Sequence, residues 1–173
     1  MGDPKRQKKQ YAAPLRPWDR ERISEEASLM NNYGLKSKEE VWRTETRLRN
    51  FRREARKLMA ASGKQADKEA RQLLNKLRNL DLVDEESSVV DVLRLDIEDV
   101  LDRRLQSVVF EKGLARTPSQ ARQMIVHGHI LIGDKCVTEP GYLVSVEEEE
   151  ELSHRPGSPF EGKVEPAEPV EEE

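Results

Sequence analysis

Thr117-Pro118-Ser119-Gln120 is the strongest local constraint in this chain of 173 residues. A threonine that can cap, a proline at the first helical position and a glutamine three residues after the threonine together mark a helix start. Gly128 supplies the matching stop. Between them Ala121 and Ile125 fall on one face, and Ser119, Arg122, Gln123 and Val126 on the other. Beyond Gly128 the apolar period changes from helical to alternating. Ile130 and Ile132 read as a strand, Gly133-Asp134 as a tight turn and Lys135-Cys136-Val137 as a second strand. A helix that hands over directly to a small antiparallel sheet is the arrangement these signals permit.

The residues before this unit are helical in period. Asp19 can cap a helix to Asn32, with Ile23, Ala27 and Met30 on one face and Gly34 as its end. Ser37 and Glu40 have the spacing of a capping box and open a long helix to Ala61, buried through Val41, Leu48, Phe51, Ala55 and Leu58. A third helix is predicted over 65–80, followed by a polar connection at 84–90. Asp96 can cap a fourth, continuous to Phe110, with Leu101, Leu105 and Val108 inward and Arg103 and Arg104 projecting away. Gly113 separates it from the Thr117 helix. After the two strands, Pro140-Gly141 is a turn and Tyr142 to Val146 a further strand. The predicted fold class is α+β: a helical N-terminal region, then a small module of helix-turn-helix and short antiparallel sheet. The division is a basic extended arm (1–18), a helical region (19–95), the module (96–152) and an acidic, disordered tail (153–173).

Charge is segregated along the chain. The net charge of −4 combines a first third, residues 1–60, holding 16 lysines and arginines against 9 acids, with an end, 146–173, holding 2 against 11. The average therefore misrepresents the surface a partner would meet. No apolar run approaches the roughly 18–20 residues that span a bilayer, and no apolar stretch follows Lys5, Arg6, Lys8 and Lys9, so neither a membrane segment nor a secretory signal is predicted. Cys136 is the single cysteine, which excludes an internal disulfide and fits a reducing compartment.

The cations gather where an anion would be held. The start of the Thr117 helix carries free N–H groups and the positive end of the macrodipole. Arg116 precedes it, Arg122 and Gln123 lie one turn in, Arg103 and Arg104 come from the preceding helix, and Lys112 sits on the turn. Planar guanidiniums converging from separate elements suit phosphate recognition. Arg49, Arg52, Arg53 and Arg56 share a second face of the long helix, with Glu45 and Glu54 interleaving only partly. The basic arm with Lys5, Arg6, Lys8 and Lys9 either tracks phosphates or merely solubilises the terminus. The bland alternative for the module is an amphipathic helix pair with a solvated polar face.

The stretch "DVLDRRLQSVVFEKGLARTPSQARQMIVHGHILIGDKCVTEPGYLV" (99–144) resembles the RNA-binding module of the small-subunit ribosomal protein 4 family, with the GLA, ARQ and HGH elements in order. "YAAPLRPWDRER" and "YGLKSKEEVWR" resemble its archaeal and eukaryotic cytoplasmic branch, the short chain favouring an archaeal source. The resemblance covers about residues 4–152. It implies a structural constituent of the small ribosomal subunit and a primary binder of 16S-type ribosomal RNA. Such a protein nucleates assembly of the 5′ domain, lies near the side where mRNA enters, and contributes to translational accuracy. It implies contact with neighbouring small-subunit proteins, protein 5 and also protein 3. The RNA face carried over is Arg103, Arg104, Lys112, Arg116, Thr117, Ser119, Arg122, Gln123, His127 and His129. On this reading Arg122→Ala weakens RNA binding without unfolding the module. Some bacterial members hold zinc through an N-terminal cysteine cluster, which this sequence lacks. The acidic tail is outside the shared pattern and reads as a solubilising extension, with shielding of the basic surface as the other possibility.

Other classes fit less well. His127, His129, Cys136 and His154 could supply metal ligands, but they lack the paired short loops of a structural zinc site. No metal and no cofactor is predicted. An enzyme carrying this module as an RNA-binding accessory would need a catalytic domain, and residues 1–95 hold no Gly-rich phosphate loop and no nucleophile–histidine arrangement. A non-ribosomal RNA-binding factor with the same module remains the alternative. A helix-turn-helix DNA regulator would not place small strands directly after its second helix.

Overall fold

The structure is a computed structural model and describes residues 9–160. Its elements run α1 (Arg20–Asn32), α2 (Lys38–Ala60), α3 (Lys64–Asn79), a 3-10 turn (Asp91–Leu93), α4 (Ile97–Asp102), α5 (Leu105–Glu111), α6 (Pro118–Val126), β1 (Ile130–Ile132), β2 (Lys135–Cys136), α7 (Val146–Glu150) and β3 (Leu152–His154). The fold class is α+β, with helices first and a three-stranded antiparallel sheet of order β2-β1-β3 last. No helix among the described residues is long and apolar enough to cross a membrane.

Where a helix is specified by its own capping residues, sequence and structure agree closely. Thr117 caps α6 by accepting from the Gln120 N–H at 3.1 Å. Gln120 reaches back one residue further than a capping box requires, to the Arg116 N–H at 2.9 Å. Ser37 precedes α2 as expected, but its capping box does not form. The Glu40 carboxylate, which would complete it, is taken by two arginines from the module.

Three predicted elements are corrected. The single helix 97–110 is broken in two at Arg103 and Arg104, where Arg104 is extended (φ −77°, ψ 143°). The Leu105 N–H donates to Tyr142 O at 2.8 Å and the Val144 N–H to Arg103 O at 3.0 Å, so the 140–144 segment replaces the helical partners. That segment is therefore not a full strand: Leu143 makes one isolated bridge with Arg104, and Ser145 already caps α7. In the α7 capping box Glu148 accepts from the Ser145 N–H at 3.0 Å, and acidic residues in the first turn complement the macrodipole. The third strand is instead β3, with Ile130 opposite His154 and Ile132 opposite Leu152. Ordered pairing thus continues past residue 152, where the acidic tail was expected to begin. Phe160 packs on the module core, and its ring meets that of His129 edge-on at 5.3 Å.

Two apolar cores form, joined by a smaller one. Leu105, Val108, Val109, Ala121, Met124, Ile125, Ile130 and Val144 fill the module. Leu48, Phe51, Ala55, Leu73, Leu77, Val92 and Val100 fill the helical region. Leu35, Val41 and Leu101 link them. Polar groups tie the same seam: Gln106 Nε2 donates to Tyr33 O and Gly34 O at 3.0 Å and to Pro118 O at 2.9 Å. Tyr33 donates its hydroxyl to Asp102 at 2.7 Å. In α1 the one buried residue is Glu26 rather than a member of the apolar stripe. Burial opposes its ionisation, but bonds from Trp42, Arg22 and Lys38 outweigh that and hold its pKa below the ordinary glutamate value.

Candidate nucleic-acid interface

The structure divides the sequence-predicted cations into those consumed by the fold and those left facing solvent. Arg104 does not project away from the core. It is 5% exposed, with Nη2 2.6 Å from Glu40 Oε2. Arg122 binds the same carboxylate, Nη2 to Oε1 at 3.0 Å, and adds a bond from Nη1 to Gln106 Oε1 at 3.3 Å. Burial opposes ionisation of Glu40, and the hydrogen bonds from Arg122 and Arg104 reverse this, holding its pKa below 4.5. Arg103 is also largely covered, paired with Glu149 at 2.8 Å and Asp81 at 3.5 Å. Lys112 donates to the Glu149 carbonyl. The physical reason is common to all four. The 140–150 segment and α2 pack over the helix break and bring carboxylates and carbonyls that the local sequence does not reveal.

The amino end of α6 is likewise not an open anion cradle. Gly34, at φ +58°, lies against it so closely that a Cβ there would stand 3.0 Å from Pro118 Cβ and from Ser119 N. Thr117 is engaged as the cap. Arg116 and Ser119 are exposed at this packed end, Gln123 is exposed further along α6 and His127 at its opposite end. His127 is the C-cap of α6, a position that favours a cation. His129 is half-buried, with Nδ1 3.2 Å from Ser158 Oγ.

On α2, Arg53 and Arg56 are exposed and make no ion pair with a described residue. Arg49 pairs with Glu45 at 2.6 Å, and Arg52 donates to Leu95 O while lying 3.4 Å from Asp96. Lys5, Arg6 and Lys8 lie outside the described residues. Lys9 is exposed and sits over the Tyr11 ring, 4.4 Å from its centroid. Tyr11 in turn packs on Trp42, and the Ala12 N–H donates to Thr46 at 3.1 Å, so this part of the arm is laid along α2.

Sequence reasoning passed over Lys36, Arg43 and Arg47. With Glu40, the two arginines follow i, i+3, i+7 and so share a face of α2, a spacing that could have found them. They line a cleft of about 720 Å³ between α2 and the Thr138–Gly141 turn. Among the described residues no group of three or more His, Cys, Asp or Glu side chains is placed to hold a metal ion.

Comparison with known proteins places this arrangement. The S4 domain family matches residues 103–150, from the helix break to the end of α7. The small ribosomal subunit protein uS4 of Methanococcus aeolicus is 50% identical over 167 residues, which is 96% of this chain and 94% of the relative. That of Methanococcus maripaludis strain C6 is 51% identical over 161 residues, 92% of this chain and 90% of the relative. The chain belongs to the uS4 family. Its S4 domain begins at Arg103, one residue before the buried guanidinium that joins the domain to α2, and ends just ahead of β3. The helical region of this uS4-family chain is therefore bound to its S4 domain through Glu40, Tyr33 and Gln106.

Proposed function

We propose that the chain is a structural protein of the small ribosomal subunit that binds its 16S-type ribosomal RNA. The observation that carries this is near-full-length similarity to uS4 proteins at about half identity, on a fold whose S4 domain keeps exposed cations and donors. Arg116, Ser119, Gln123 and His127 are exposed along α6 from its start to its C-cap, and Arg53, Arg56 and Lys9 are exposed on and beside α2. Each phosphate neutralised releases a condensed counterion, so affinity falls steeply with salt. A-form RNA hides its major groove from side chains, which favours recognition of shape and 2′-hydroxyls at a junction. Thr117, Ser119 and Gln123 suit hydroxyl contacts; the arginines suit phosphates.

The finer reading is early binding in the 5′ domain, with a seat near where mRNA enters, an effect on translational accuracy and neighbours that include small-subunit proteins 5 and 3. A cytoplasmic location follows from it. The fixed seam between helical region and S4 domain supports an assembly role, because a rigid two-part surface can hold RNA helices at a set angle without a further ordering cost. Sucrose-gradient fractionation of cells producing a tagged chain tests the main claim. Co-migration with small subunits and 70S particles is expected; sedimentation as free protein overturns it.

A further inference from the structure

Resting on that RNA-binding reading, we propose that the cleft between the first half of α2 and the Thr138–Gly141 turn is a separate phosphodiester site, with Arg47 as its principal donor to the RNA backbone. The cleft encloses about 720 Å³, within the range of sites that accept a nucleotide-sized group. Its α2 side presents Lys36, Arg43 and Arg47, and the buried Arg104 and half-buried Arg122 lie beside them. Glu40 and Glu139 are the two acids in its lining against five cations, and Arg43 is also paired with Glu39 at 3.9 Å just outside it, which leaves a surplus of two positive charges. Glu40 is already occupied by Arg104 and Arg122, so it has little capacity to neutralise Arg47 as well.

Arg47 makes no hydrogen bond or ion pair with a described residue. Solvent reaches it, yet the cleft walls desolvate its head group, and the Arg104 charge adds to this in disfavouring its protonated form. Arg104 also keeps a buried Nε without a hydrogen-bond partner. A lone chain gains nothing from holding like charges together in a recess. An entering phosphate would pair with Arg47 directly, since a guanidinium fork matches two phosphate oxygens, and would offset the neighbouring Arg104 charge through space. Thr138 lines the same space, exposed, and provides a neutral hydroxyl for a sugar contact, while Thr44 spends its proton on Glu40 O at 3.0 Å and offers only an acceptor. That mixture of cations with neutral hydroxyls favours a nucleic-acid backbone over a peptide carboxylate.

The test uses the full chain and a transcript of an archaeal 5′ domain, with filter binding from about 50 to 200 mM salt. Arg47→Gln should weaken binding on the order of tenfold and reduce the log–log salt slope by about 0.7–0.9, the share of one phosphate contact. Its thermal midpoint should stay level or rise, because a like charge beside Arg104 is removed. Thr138→Glu, exposed on the opposite wall, should weaken binding at least as much. Wild-type affinity and slope in both variants would overturn the cleft while leaving the wider RNA reading standing. Failure of the wild-type chain to bind would overturn both. A midpoint raised by inorganic phosphate as much as by a short oligouridylate of equal phosphate content would overturn the RNA assignment in favour of a free anion.

Discussion

Glu40 Oε2 lies 2.6 Å from Arg104 Nη2, although the two residues are 64 positions apart. The same carboxylate holds Arg122 at 3.0 Å, so one glutamate in the helical region clamps two arginines of the S4 domain. Removing it leaves Arg104 buried and unpaired. Glu40→Gln should destabilise the chain by about 3 kcal/mol, the lower end for a broken buried pair, since Arg122 retains some access to water. Urea denaturation measures the loss, and an unchanged midpoint would show that the clamp is energetically idle.

The clamp also dictates how the chain responds to acid. Glu40 and Glu26 both have folded pKa values below the ordinary 4.5, each because donated hydrogen bonds outweigh the burial that opposes ionisation. A depressed carboxylate contributes stability that is fully present above its unfolded pKa and is lost as pH falls through the folded one. Stability should therefore decline from about pH 4.5 downward. Glu40→Gln should flatten that part of the curve, and denaturation midpoints taken across the window give the comparison directly.

Gln106 gives a second, independent test of the seam. Its side-chain amide serves the Tyr33, Gly34 and Pro118 carbonyls at once. Gln106→Ala strands those acceptors and should cost about 1–3 kcal/mol. Gly34→Ala should be at least as damaging, because it combines a left-handed backbone with a contact of 3.0 Å to Ser119 N. Both variants should increase proteolysis between α1 and α2, which a gel time course would reveal.

How much of this was legible follows from the range of the interactions. The start of α6 was readable because Thr117, Pro118 and Gln120 encode it within four positions. The break between α4 and α5 was not, because the acceptors that draw Leu105 and Gln106 out of the helix, Tyr142 O and Pro140 O, arrive from a distant turn. The capping box of Ser145 and Glu148 was present in the sequence but hidden in a run of glutamates, and with it the alternation that makes Leu152 and His154 a strand. The site divides in the same way. A pattern of arginines announces a cationic surface, yet nothing local distinguishes Arg116, which stays exposed, from Arg104, whose partner sits on another helix.

Glu111 presents the opposite electrostatic case to Glu40. Partial burial raises its pKa, the Asp102 and Glu149 charges add to this, and Arg103 only partly offsets them. A carboxyl with a raised folded pKa favours folding in its protonated form, and that contribution is lost as pH rises through 4.5 towards the folded value. Glu111→Gln should stabilise the chain at neutral pH and lose its advantage in acid. The gain should stay below about 1 kcal/mol, because the residue is exposed and water screens it. Paired thermal melts at neutral and acidic pH read out the crossover.

Arg116 and Arg122 separate binding from folding. Arg116 is exposed and makes no ion pair with a described residue, whereas Arg122 is engaged by Glu40 and Gln106. Arg116→Ala should leave the urea midpoint unchanged, weaken RNA binding at every salt concentration and reduce the salt slope by about 0.7–0.9. Arg122→Ala, read from sequence as a pure binding variant, should instead lower both stability and affinity, because it leaves Glu40 to Arg104 alone. A second change distinguishes the routes by which Arg122 acts. If Arg122 serves the RNA only by holding the seam, then Arg122→Ala in a Glu40→Gln background should add little further loss of affinity. A full additional loss would mean that Arg122 touches the RNA itself.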